Sequence, residues 1–72
     1  MKASTKRAIE ALTAQASGLL SKFEDLLTGE QEYLDELDPD SQKIDDQEEV
    51  VSTLEEVIAG MEDVISSLES FI

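Results

Sequence analysis

Val50 to Ile72 reads VVSTLEE, VIAGMED, VISSLES, FI: one seven-residue unit written three times and begun a fourth. Seven residues make two helical turns at roughly 3.5 residues each, so every unit returns the same residue types to the same side of a helix. With Leu54, Met61 and Leu68 at heptad position a, Val50, Val57, Val64 and Phe71 fall at d, and Val51, Ile58, Ile65 and Ile72 at e. Glu48 and Glu49, Glu55 and Glu56, Glu62 and Asp63, and Glu69 occupy b and c. Small residues fill the remainder, Ser52, Ala59 and Ser66 at f and Thr53, Gly60 and Ser67 at g. They leave room for another backbone to approach, or else form a small solvated face. The β-branched content favours a strand. Alternation by two, however, would bury Glu with Val, whereas the heptad buries none of the acids. The period predicts a helix with an apolar side and an acidic side.

The first half of the chain carries the same stripe. Ile9, Ala16, Phe23 and Leu37 take a, with Glu30 the exception; Leu12, Leu19, Leu26 and Tyr33 take d; Leu20, Leu27 and Leu34 take e. Gly29 lies inside the pattern at a cost of roughly 1 kcal/mol relative to Ala. The heptad phase survives across it, which predicts a continuous helix with a soft point there. Ser4 or Thr5 is placed to cap its start. Asp38-Pro39 should end it, because the residue before a proline is pushed out of helical backbone and proline suits the first turn of a new helix. Asp45, with Glu48 three residues on, has the form of a capping box for the second helix. Asp45, Asp46, Glu48 and Glu49 all stand where the helix dipole favours negative charge. The expected layout over residues 1–72 is a single domain with a helix at about 5–37, a turn at 38–45 and a helix at about 46–71.

Two antiparallel helices joined by a short turn make an all-α helical hairpin. A stripe of a, d and e is wider than a coiled-coil seam and suits a helix that touches two neighbours. A hairpin of this length cannot hide two such stripes by itself, and 72 residues without a cysteine have no disulfide to compensate. The expectation is a homodimer forming a four-helix bundle. Its core would comprise Leu19, Phe23, Leu26, Leu27, Leu54, Val57, Ile58, Met61, Val64, Ile65 and Leu68.

The formal charge of −13 is unevenly placed. Residues 1–29 carry four basic and three acidic residues, while residues 30–72 carry fifteen acids and Lys43 alone. Such a surface repels nucleic acid and anionic membranes and attracts basic proteins, many of which bind nucleic acid. The same charge also serves solubility alone. No apolar run is long enough to span a bilayer, and no apolar segment follows Lys2, Lys6 and Arg7 as in a signal peptide, so a cytoplasmic protein is expected. The basic tip is either a frayed end or a contact for a partner's acidic side.

The absence of His and Cys removes the usual general base, the thiol nucleophile and the commonest zinc ligands. Gly18, Gly29 and Gly60 are isolated, so there is no phosphate-binding loop. Carboxylate pairs alone could serve glycoside hydrolysis, but a hairpin this small offers no substrate cleft. No enzymatic activity and no cofactor are expected. Asp38, Asp40, Gln42, Asp46 and Glu49 do fall at the first, third, fifth, ninth and twelfth places of an EF-hand loop. The sixth place, which needs glycine, is Lys43, and the capping role of Asp45 accounts for these acids without a metal. No metal site is expected.

From Glu30 onward the chain resembles small, uncharacterised acidic helical-hairpin proteins of tailed phages and other bacterial mobile elements. The likeness rests on Glu30 to Tyr33, Leu37, Pro39-Asp40, and Leu54-Glu55-Glu56 through Leu68-Glu69, a little over half of the chain. It departs after the proline, where Ser41-Gln42-Lys43 replaces an expected Leu-Gln. The resemblance implies a phage or mobile-element origin and an inhibitor of host machinery. Residues and resemblance together predict a non-catalytic module that binds a basic, nucleic-acid-binding host protein as a decoy or DNA mimic. The contact surface would be Glu48, Glu49, Glu55, Glu56, Glu62, Asp63 and Glu69, with Glu32, Asp35 and Glu36 near the hairpin tip. The alternatives are a structural or assembly protein working through its apolar stripe, and an antitoxin-like neutraliser of a basic toxin. The expected partners are a second copy and that basic protein, with no direct contact to nucleic acid or membrane.

Overall fold

The computed structural model describes residues 1–71 and consists of two long helices, α1 (Ala3–Glu36) and α2 (Ile44–Glu69), packed antiparallel along their length. The chain is an all-α helical hairpin with no strand among the described residues. It forms a rod of 58 × 14 × 12 Å. Its radius of gyration is 16.8 Å, against about 11 Å for a globule of this length. α1 runs through Gly29 without interruption. The e-position Ile72 lies outside the described residues.

Both helix starts differ from the sequence reading. Ser4 and Thr5 do not cap α1; it begins at Ala3 behind Lys2, with no side-chain cap bond. Nor does Asp45 cap α2, which begins at Ile44 behind Lys43 and places Asp45 and Asp46 in its first turn, so the capping box is not made. The cause lies in the turn. The Ser41 N–H donates to the Asp38 carbonyl at 2.8 Å, closing a β-turn with Pro39 at its second position, and the Asp40 N–H donates to Asp38 Oδ1 at 3.0 Å. The Lys43 N–H then donates to Ser41 Oγ at 3.1 Å, and the Ile44 N–H reaches the Ser41 carbonyl at 3.4 Å. Ser41 thus organises the start of α2 four residues ahead of Asp45. At the other end of the turn Leu37 is extended (φ −70°, ψ 140°), as its place two residues before Pro39 allows.

The core is one seam. Val51, Ile58 and Ile65, all at e, are each 8 % exposed, and the a residues Leu54, Met61 and Leu68 are half-buried beside them. The a residues Ile9, Ala16 and Phe23 and the e residues Leu20, Leu27 and Leu34 of α1, with Leu37 just past its end, are half-buried against them. Among the described residues no large side chain is fully buried. The seam therefore takes the a and e rows of each helix and leaves out d.

Candidate interaction surfaces

Near the turn the seam is polar. Gln47 stands at a in α2, Glu30 at a in α1, and Gln47 Nε2 donates to the Glu30 carbonyl at 3.0 Å and to Glu30 Oε2 at 2.6 Å. Gln47 is 8 % exposed. The pairing explains why Glu30 interrupts an otherwise apolar row. The second buried polar side chain, Thr13 at e, donates to its own helix at the Ile9 carbonyl, 2.7 Å away. The Glu30–Gln47 bond also sets the register. Counting equal steps from it in both helices brings Leu19 level with Ile58, Leu26 with Val51 and Leu12 with Ile65.

The row left out of the seam is exposed throughout. In α1 Leu12, Leu19, Leu26 and Tyr33 are 55, 50, 49 and 43 % exposed. In α2 Val50, Val57, Val64 and Phe71 are 42, 37, 55 and 53 % exposed. Antiparallel helices that bury the same heptad positions are related by a dyad normal to their common plane. A dyad in that direction keeps both d rows on one side of the plane. They make one apolar face, flanked on α2 by a shallow groove lined by Asp46, Glu49, Val50, Thr53 and Leu54. Of the residues expected in the core, Phe23, Leu27, Leu54, Ile58, Met61, Ile65 and Leu68 meet in the hairpin seam, whereas Leu19, Leu26, Val57 and Val64 lie on this open face.

The acids occupy the other sides. Every Asp and Glu among the described residues except half-buried Glu30 is exposed. At ~100° per residue, the b row of α2 (Glu48, Glu55, Glu62, Glu69) lies on the face opposite d, and the c row (Glu49, Glu56, Asp63) points away from α1. Those seven acids form two rows on α2 with the small f residues Ser52, Ala59 and Ser66 between them. Glu32, Asp35 and Glu36 do not join them; at c, f and g of α1 they lie along the other edge of the rod. Asp38 and Asp40 sit in the turn while Asp46 and Glu49 sit in α2. Among the described residues no group of three or more His, Cys, Asp or Glu side chains is placed to hold a metal ion.

Comparison with family models, curated proteins and solved structures found no match. The surfaces themselves carry the functional reading. Among the described residues no helix is long and apolar enough to cross a membrane. Sequence reasoning missed the Glu30–Gln47 pair, although its signal was present: each residue is the polar break in its helix's a row. It also missed that d, rather than a or e, would be the unpaired row. A three-row stripe does not itself say which two rows form the seam.

Proposed function

We propose that the chain is a non-catalytic protein-binding module of phage or mobile-element origin. It pairs with itself into a four-helix bundle and presents its acids to a basic, nucleic-acid-binding protein of a bacterial host cell. The observation that carries this reading is the segregation of the surface, with apolar d rows on one side and the acidic b and c rows of α2 on the others. Self-association through d covers the apolar face and leaves the acids outward. The charge density fits a decoy. One hairpin carries −13 over 58 Å, and a fully overlapped pair would carry about one net charge per 2 Å of axis, close to the ~1.7 Å of duplex DNA.

The test is affinity capture from a nuclease-treated bacterial lysate at low and high salt, with the wild type beside a Glu55→Lys, Glu56→Lys, Glu62→Lys, Asp63→Lys variant. The expected result is a basic nucleic-acid-binding protein held at low salt, released at high salt, and lost with the charge reversal while the variant keeps its helicity and mass. The exposed d rows also favour a second reading, an assembly protein whose working surface is apolar. Capture indifferent to salt and to the reversal, but abolished by Val57→Asp, would favour that reading over the decoy.

A further inference from the structure

The apolar face is sized for a partner. The described fold exposes 5335 Å², whereas a compact protein of 7.9 kDa exposes about 4,400 Å². A copy stacked in full overlap on a rod 58 Å long and 14 Å wide covers an outline of about 800 Å², the area each partner contributes to a standard stable interface. The exposed d residues run along about 30 Å of each helix at its centre. Gly29 and Gly60, both at g beside the d rows, have open space where a Cβ would stand. Nothing among the described residues requires glycine there, and both positions admit a close neighbour.

The d rows are symmetric along the rod. Leu12 and Leu26 lie equally far either side of Leu19, and Val50 and Val64 equally far either side of Val57. Leu19 and Val57 stand within a residue of the same level and near the midpoints of α1 and α2. A second copy can therefore stack face to face in full overlap in two ways, with turns at the same end or at opposite ends, and apolar residues meet in both. Charge separates the two. The half of the rod nearer the turn, residues 20–57, holds fourteen acids with Lys22 and Lys43, net −12. The open half, residues 1–19 and 58–72, holds four acids with Lys2, Lys6 and Arg7, net −1. Turns at the same end would stack −12 on −12. Turns at opposite ends stack −12 on −1 and spread the charge evenly.

We propose that the second copy seats on the d face with its turn at the opposite end of the rod. The dyad passes between Leu19 and Val57, and α1 lies over the α1 of the second copy. Lys2, Lys6 and Arg7 of one copy come level with Glu32, Asp35 and Glu36 of the other. Glu48 and Glu49 come level with the uncharged stretch Ile65 to Leu68, while Asp46 comes level with Glu69. This deepens the dimer reading above and rests on it.

The chain has no cysteine, so single spin labels can be placed freely. Gln42 in the turn and Ser4 at the open end are both exposed. Pulsed dipolar spectroscopy of labelled Gln42→Cys should give a distance on the order of the rod's 58 Å. An equimolar mixture of labelled Gln42→Cys and Ser4→Cys chains should add a distance near ~20 Å, two helix layers across. A short distance within Gln42→Cys alone would overturn the opposed orientation and leave the dimer standing. Absence of dipolar modulation in every sample would overturn the dimer itself. Lys2→Glu, Lys6→Glu, Arg7→Glu should weaken association at least tenfold at low salt. Unchanged affinity would contradict the role given to charge.

Discussion

Gln47 is the side chain on which the hairpin's register turns. Its amide makes both of its bonds to Glu30, across 17 residues of sequence. Gln47→Ala removes them and leaves a half-buried carboxylate without its donor, a loss of about 1–3 kcal/mol. In a domain of this size each 1 kcal/mol lowers Tm by roughly 4–8 °C, which thermal circular dichroism reads directly. Replacing both partners, Glu30→Leu with Gln47→Leu, should restore or exceed wild-type Tm, since an apolar pair leaves no polar group unsatisfied. A double variant as unstable as the single would show that the polar pair itself contributes more than its desolvation costs. The pair was legible in the sequence as two polar breaks in matching a rows. The start of α2 was not, because Asp45 has the better local motif while Ser41, in the turn behind Pro39, accepts from the Lys43 and Ile44 N–H groups and lets the helix begin at Ile44 without a side-chain cap.

Helix type, helix number and the turn at Asp38-Pro39 follow from the heptad and the proline, and the described fold has them. Which rows form the seam does not follow, because the polar breaks Glu30 and Gln47 fall in the a rows and Thr13 in e, yet a and e are the rows that pack and the unbroken d rows stay outside. Adjacent residues of α2 separate the two faces experimentally. Ile58 is 8 % exposed at e, while Val57 is 37 % exposed at d. Ile58→Asp puts an unpaired carboxylate in the seam and should cost at least the about 2–5 kcal/mol of cutting a buried Ile to Ala, enough to unfold the hairpin. Val57→Asp should keep the helical signal and remove self-association. Loss of helicity in both variants would mean that d is part of the hairpin core. Gly60→Ala meets nothing within 4 Å, so at concentrations where the chain is monomeric it should raise stability by up to about 1 kcal/mol. Urea unfolding at low micromolar protein measures that gain, and destabilisation there would place a neighbour of the same chain against Gly60.

At the scale of the whole molecule the hairpin is long, thin and half-covered. Its most buried apolar residues form a single row, and a second row of large apolar side chains runs beside it in the open. Its charge is equally lopsided, concentrated in the half nearer the turn. A second copy on the d face, reversed end for end, answers both asymmetries: it covers the open row and evens the charge. In that arrangement the b and c acids of α2 would stay outward, the surface proposed to meet a basic partner. All of this depends on the d face being an interface. Sedimentation equilibrium of the wild type and of Val57→Asp at tens of micromolar tests that most directly. The expected result is twice the 7.9 kDa chain mass for the wild type and a single chain mass for the variant. A wild type that sediments as one chain of 7.9 kDa at those concentrations would contradict it.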